Sequence, residues 1–369
     1  MLILLDDRVF FSHRFADLAY AAKVCRNAVR RTLVSGTTSC VYFGTLHTDA
    51  AVLLGQIART HGQRSFVGKV NMDRNAPDTY RETTSESIAE TERFIKLMID
   101  GPAKASTHPS EAPADVSEPK QPIGPPSVPV ITPRFVPTCT AQLMRALGKM
   151  AAEHKLLIQS HVSENRGEIS WVKELHPGEL SYSHVYDSHG LLGSRTILAH
   201  GVYLEAEERG LLRSRGSTVA HCPMSNSQIR SGMLNVRRLL KEGVHVALGT
   251  DVSGGASPSM LSAIREALKV SNMVSVYEGE QYQPLSYAEV FWLATCGGAQ
   301  ALGVDRLTGD LSAGAVFDAL VIDPDADGSP IDLYEGETPL EAFQKWLQLG
   351  DDRNTHQIYV QGQPVYPSA

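Results

Sequence analysis

The 369-residue sequence is poor in cysteine, and what it has is not arranged in pairs. Its five cysteines (Cys25, Cys40, Cys139, Cys222 and Cys296) form no CxxC spacing. The odd, scattered set fits a reducing compartment rather than a disulfide framework. Long apolar runs are also lacking. The opening "MLILLDDRVFF" has only a short apolar run before Asp6. That is too short for a signal-peptide core or a membrane span, so the expectation is a soluble, cytoplasmic chain. Neither GxGxxG nor GxxxxGK[ST] follows any apolar run, so the usual nucleotide-phosphate cradles are missing. Basic charge is in deficit, with 34 Lys and Arg against 41 Asp and Glu and a net charge of -7. No basic stretch interleaved with aromatics is present to track a nucleic-acid backbone. Finally, no two of the 13 histidines stand two residues apart.

What is present reads as an ordinary globular protein, 42% hydrophobic and 20% charged. Short runs rich in Val, Ile, Leu, Thr and Phe end in polar residues or turns. In order they are "TTSCVYFGT" (37–45), "RSFVGKVNMD" (64–73), "VPVITPRF" (128–135), "LLIQSHVSE" (156–164), "RTILAHG" (195–201), "STVAHCP" (217–223) and "VHVALGTD" (244–251). Near-continuous apolar runs of this length predict buried parallel strands. Helical spacing lies between most of them. "TAQLMRALGKMAAEH" (140–154) puts Leu143, Leu147 and Met150 on one face, and "SESIAETERFIKLMID" (85–100) turns Ile88, Phe94, Ile95 and Met98 inward.

Alternating strands and helices predict a parallel α/β sheet, either doubly wound or closed into a barrel. Polar residues recur at the strand C-termini: Asp73, Arg134, His161, His200, His221 and Asp251. Chemistry gathered at one rim from many strands favours a (β/α)8 barrel. Seven strands are evident where eight are needed, and the missing one is the first. "MLILL" is the only candidate, with no polar residue at its end.

Residues 101–129 hold prolines with Ser, Ala and Glu and almost no large apolar side chains, which predicts a disordered insertion. The expected division is a barrel over 1–303 and, over 304–369, part of a small β domain. "GDLSAGAVFDALVIDP" (309–324) and "QIYVQGQPVYP" (357–367) supply the strands of that second part.

Imidazole and carboxylate are ligands for zinc and similar ions. His161, His200 and Asp251 each end a different predicted strand and form a candidate metal site, with Glu164 beside it as a proton shuttle. Taken singly, each has a plainer explanation. His161 suits a hydrogen-bonded core position, Asp251 a helix cap, Glu164 a solvated loop, His221 the end of a strand and Arg134 a surface ion pair. Three such residues on three strand ends are harder to dismiss.

"SHVSEN" (160–165), "AHG" (199–201), "HCP" (221–223) and "LGTDVSGG" (248–255) resemble the motifs of the amidohydrolase superfamily. "TPRF" (132–135), "SMLSAIREALKVSN" (259–272) and "LGDDRN" (349–354) are similar, within it, to the guanine deaminase family. The resemblance runs from about residue 12 to 366, apart from the insertion. It implies a zinc-dependent hydrolytic deamination of guanine to xanthine and ammonia, with one zinc per subunit. It implies His161 and Asp251 as metal ligands and His200 as the further active-site histidine near the metal and substrate. Glu164 becomes the residue that protonates the ring, with Asp251 also activating the water. Arg134 and the backbone of Phe135 become the clamp on the purine carbonyl edge, beside His161, Glu164 and Asp251. The family is usually dimeric, so a homodimer is expected.

The resemblance also implies a first strand ending in His-x-His, two further ligands that this sequence does not contain. The expectation is therefore a barrel without its first βα unit and a small β-sandwich without its opening half. Met224 stands where the family usually has asparagine, and Arg230 near a usual serine. Two alternatives stay open: a catalytically impaired purine-binding protein of this fold, or an enzyme acting on another aminopurine, a pterin or a triazine. Arg134 within "TPRF" argues against the second.

Overall fold

The computed structural model describes residues 2–4, 13–100, 124–279 and 281–366. Eight parallel strands pair in strict chain order. They are β1 (Leu2–Leu4), β2 (Ser39–Phe43), β3 (Arg64–Asn71), β4 (Val128–Pro133), β5 (Leu157–Val162), β6 (Thr196–His200), β7 (Thr218–His221) and β8 (His245–Leu248). All seven strands read from the sequence are present, β3 and β4 trimmed only at their C-terminal ends and the other five at both. At the edge where a first strand was not evident, three residues run parallel to β2, with Ile3 opposite Tyr42. Residues 5–12, which follow, lie outside the described part.

The helices are α1 (Leu18–Val34), α2 (Thr48–Thr60), α3 (Thr84–Asp100), α4 (Ala141–His154), α5 (Arg166–Leu175), α6 (Tyr182–Ser188), α7 (Ala206–Arg215), α8 (Pro223–Gln228), α9 (Val236–Lys241), α10 (Met260–Glu278), α11 (Tyr287–Ala294), α12 (Cys296–Ala301) and α13 (Pro339–Leu349). Their starts are chemically marked. Asp17 accepts from the Ala19 amide at 2.8 Å to cap α1, and Thr140 accepts from Leu143 to cap α4. Among the described residues no helix is long and apolar enough to cross a membrane.

The period-2 alternation of the strands sorts side chains into two cores. On β2, Cys40 and Tyr42 pack outward with the helices, while Val41 and Phe43 pack inward. The inner cluster also holds Phe66, Val130, Leu157, Ile197, Ala220 and Ala247, one strand after another. The outer cluster holds the apolar stripes of the helices, including the fully buried Leu143 and Leu147 of α4. Each such leucine contributes about 1.5–3 kcal/mol by leaving water. In the middle of the ring, Gln159 donates to the Tyr42 carbonyl (3.0 Å) and to Thr132 Oγ1 (2.9 Å). Gly68 makes room for this contact, because a Cβ there would stand 1.8 Å from Thr132 Oγ1.

Residues 101–123 of the expected insertion lie outside the described part, but its last six residues are ordered. The Gly124 amide donates to the Arg59 carbonyl at 3.0 Å. Ser127 Oγ donates to the Gly55 carbonyl at 2.7 Å, one residue before β4 begins. These partners explain why the expected disorder does not extend to 129.

The C-terminal strands β9 (Ala319–Ile322), β10 (Thr355–Val360) and β11 (Gln363–Tyr366) form a separate antiparallel sheet in the order β11-β10-β9. A buried ion pair ties it to the barrel. Arg64, at the start of β3, meets Asp318 at 2.9 Å with both side chains nearly inaccessible (7% and 3%). The Gln361 amide donates to the same carboxylate.

Candidate metal and substrate site

His161 lies on β5, buried, with Nδ1 2.6 Å from the Arg134 carbonyl. A carbonyl only accepts, so Nδ1 carries the proton and Nε2 is the basic nitrogen, the one that can bind a metal. Its ring stacks on His200, centroids 5.3 Å apart and 16° from parallel.

His200 ends β6. Alternation would send its side chain outward, since Ala199 points inward. Its backbone is left-handed (φ 73°) instead, which turns the imidazole toward the site. Asp251, after β8, is left-handed as well (φ 48°). His and Asp tolerate this region better than most side chains, and strained positions of this kind concentrate at functional sites. His200 Nδ1 lies 2.8 Å from Asn226 Oδ1, and its Nε2 lies 3.9 Å from Asp251 Oδ2. Burial alone would lower the His200 pKa. The carboxylates of Glu164 and Asp251 and the Asn226 contact outweigh that burial and raise it. The turn after Asp251 needs glycine: a Cβ on Gly255 would stand 2.1 Å from the Thr250 carbonyl.

Glu164 follows the left-handed Ser163 (φ 47°). Its Oε1 lies 3.7 Å from His200 Nδ1 and accepts from Ser231 Oγ at 2.9 Å. The Glu164 amide donates to Glu168, which closes a capping box with Asn165 at the start of α5. Arg134 follows β4. Its guanidinium lies 5.6 Å from the Phe135 ring centre and 3.5 Å from Met72 Sδ. Phe135 in turn meets Trp171 edge-on at 6.3 Å.

The structure therefore brings together His161, Glu164, His200 and Asp251, with Arg134 joined to His161 through its carbonyl. The donor atoms of His200, Asp251 and the fully buried Cys222 lie within 4.8 Å of one another. Nitrogen, oxygen and sulfur donors on a buried floor suit a zinc-type ion. Four buried polar atoms around this floor (His221 Nδ1, Ser163 Oγ, Ser225 Oγ and Asn226 Nδ2) have no hydrogen-bond partner among the described residues. Such a concentration marks a volume meant for a ligand or water. His221 is held neutral, its pKa pushed down to about 3 by burial and by His200.

One rim residue of the sequence reading belongs elsewhere. Asp73 accepts from the Thr140 amide at 2.7 Å and from Thr84 Oγ1 at 2.7 Å, tying α4 to the start of α3. A capping aspartate and a catalytic one look alike at a strand end. Cys222 was read only as part of "HCP" and given no role, and Asn226 and Ser231 went unnoticed. The signal for these two was proximity to "HCP", whose following turn carries both. Met224 in that turn is buried, and Arg230 is exposed with a left-handed backbone.

The family model described as "Amidohydrolase family" matches residues 4–365. A guanine deaminase of Rattus norvegicus is 46% identical over 359 residues, covering 96% of this chain and 74% of that protein. A guanine deaminase of Escherichia coli strain K12 is 32% identical, covering 96% of this chain and 74% of that one. A crystal structure of guanine deaminase from C. acetobutylicum, with guanine bound in its active site, superposes with a TM-score of 0.86 at 34% identity. It covers 98% of this chain and 80% of that one.

Proposed function

The chain belongs to the amidohydrolase family, alongside its guanine deaminases, and we infer that it hydrolyses guanine to xanthine and ammonia. The observation that carries this reading is His200 seated between two carboxylates, Glu164 at 3.7 Å and Asp251 at 3.9 Å, on the floor that His161 shares. A water-activating group and a proton donor for the ring are the two things a hydrolytic deamination needs.

His161 and Asp251 are proposed to hold one zinc per chain, with His200 adjoining it. A zinc ion there supplies Lewis acidity and a more acidic water. In this reading Asp251 takes the proton from the attacking water. Glu164 donates one to the ring nitrogen beside C2; Asp251 then passes the proton it took to the C2 amine, which leaves as ammonia, while the C2 hydroxyl returns its proton to Glu164 and becomes the carbonyl. Arg134, a fixed and always-charged donor fork, and the Phe135 backbone hold the purine carbonyl edge. His161 keeps its protonated Nδ1 against the Arg134 carbonyl, so the clamp and the ligand are set by one hydrogen bond.

The same reading takes the chain as a cytoplasmic homodimer, with residues 304–369 contributing to a small β domain beside the barrel. Light scattering checks the dimer.

The test is ammonia release from guanine, adenine, a pterin and a triazine by the purified chain, with zinc counted in the same sample. Preference for guanine with zinc bound is the expected result. Preference for another ring overturns the substrate. Zinc-loaded chain that binds guanine without turnover establishes the impaired alternative.

A further inference from the structure

The turn that follows α8 links the two groups flanking the site. Asn226 uses its side chain and its backbone at once. Its Oδ1 receives His200 Nδ1 at 2.8 Å. Its carbonyl accepts from the Ser231 amide at 2.9 Å and from the Gly232 amide at 3.4 Å. The left-handed Arg230 (φ 61°) closes this helix end in the manner of a Schellman turn. Ser231, 5% exposed, then donates its hydroxyl to Glu164 Oε1 at 2.9 Å.

Ser231 is fixed from a second side. Its carbonyl accepts from Tyr203 OH at 2.7 Å. The Tyr203 amide donates to the Ser163 carbonyl at 3.0 Å, next to Glu164 itself. Arg166 lies over the Tyr203 ring at 4.6 Å. Gly232 (φ 143°) permits the approach, since a Cβ there would stand 2.6 Å from Tyr203 OH. The serine is thus held at its amide and its carbonyl, leaving only the hydroxyl to act on Glu164.

We propose that Ser231 is a positioning residue for Glu164. Its hydroxyl occupies Oε1 and leaves Oε2 as the oxygen that carries the proton to the substrate. Among the described residues Oε2 accepts no hydrogen bond, while Oε1 has both Ser231 and the His200 contact at 3.7 Å. The carboxylate is then presented in one orientation rather than two, which matters because proton transfer requires hydrogen-bond reach in a defined direction. The proposal rests on the deaminase reading of this site.

The experiment is a double-mutant cycle on the full chain, read both as turnover and as guanine affinity by calorimetry. Ser231→Ala is expected to lower kcat about tenfold or more while weakening guanine affinity only about threefold, and Ser231→Thr to restore most of both. In a Glu164→Gln background, Ser231→Ala is expected to change neither kcat nor guanine affinity further. If the wild-type chain binds guanine without turning it over, the deaminase reading fails. The affinity arm still decides the coupling, with Ser231→Ala weakening binding only when Glu164 is present. Equal effects of Ser231→Ala in both backgrounds, or kcat within twofold of wild type, overturn the proposal. A melting temperature close to wild type for all variants separates positioning from a folding defect.

Discussion

The imidazoles of His161 and His200 lie face to face, 5.3 Å apart and 16° from parallel, although their strands deliver them by different means. His161 points inward by ordinary strand alternation. His200 does so only because its backbone turns left-handed at φ 73°. One residue is placed by the sheet and the other by a local turn.

Holding a metal and moving a proton should therefore separate experimentally. His161→Ala is expected to lower the zinc content per chain, measured by elemental analysis. Glu164→Gln is expected to leave zinc in place and reduce guanine turnover by about 10²–10⁴-fold. Chelation should abolish turnover and added zinc restore it. Loss of zinc in Glu164→Gln would contradict this division of labour.

The buried Arg64–Asp318 pair predicts a large cost for losing one partner. Asp318→Ala strands a guanidinium that is only 7% exposed, and should destabilise the fold by about 3–5 kcal/mol in urea denaturation. Arg64→Met with Asp318→Leu should recover most of that loss. A single-mutant cost below about 1 kcal/mol would show the pair to be solvated.

Glu289 predicts an acid-sensitive contribution. The Arg237 guanidinium, bonded at 2.5 and 2.9 Å, holds its carboxyl down to about 2 from an ordinary 4.5, with help from Ser286. A depressed carboxylate stabilises the fold above its unfolded pKa and stops doing so as pH falls through the folded one. Glu289→Gln should thus cost about 1 kcal/mol at neutral pH, a figure kept small because the side chain is 40% exposed. The gap between variant and wild type should narrow from pH 4.5 downward toward 2. A gap independent of pH would refute the assignment.

Gly255 predicts a loss of activity larger than its loss of stability. Alanine there would press on the Thr250 carbonyl at 2.1 Å and shift the backbone that presents Asp251. Gly255→Ala is expected to lower kcat at least about tenfold. Wild-type kcat would show that the turn yields without moving Asp251.

Much of this was legible in the sequence because buried parallel strands need unbroken apolar runs, and those runs stand out. The strand at Leu2–Leu4 did not stand out, since three residues carry no period. His161, Glu164, His200 and Asp251 were visible as ionisable groups at the ends of apolar runs. Asn226 and Ser231 were not, because Asn and Ser populate turns everywhere and only the folded turn shows what they touch. Asp73 misled for the opposite reason, as it stands just past the end of a strand but binds helix ends. "LGDDRN" proved architectural: Asn354 donates to the Asp323 carbonyl at 3.0 Å and to Ser329 Oγ at 2.9 Å, fixing the approach to the small sheet.

The apolar fill inside the ring, from Val41 and Phe66 round to Ala247, has a consequence for traffic. Below the site those side chains plug the axis, with Gln159 and Thr132 stitched across it. Among the described residues the axis is closed below the site, which makes the barrel a cup and not a tube along that line. A purine bound above that plug would not pass on through it, so substrate and product would share the open side and a departing purine would compete with the next arrival.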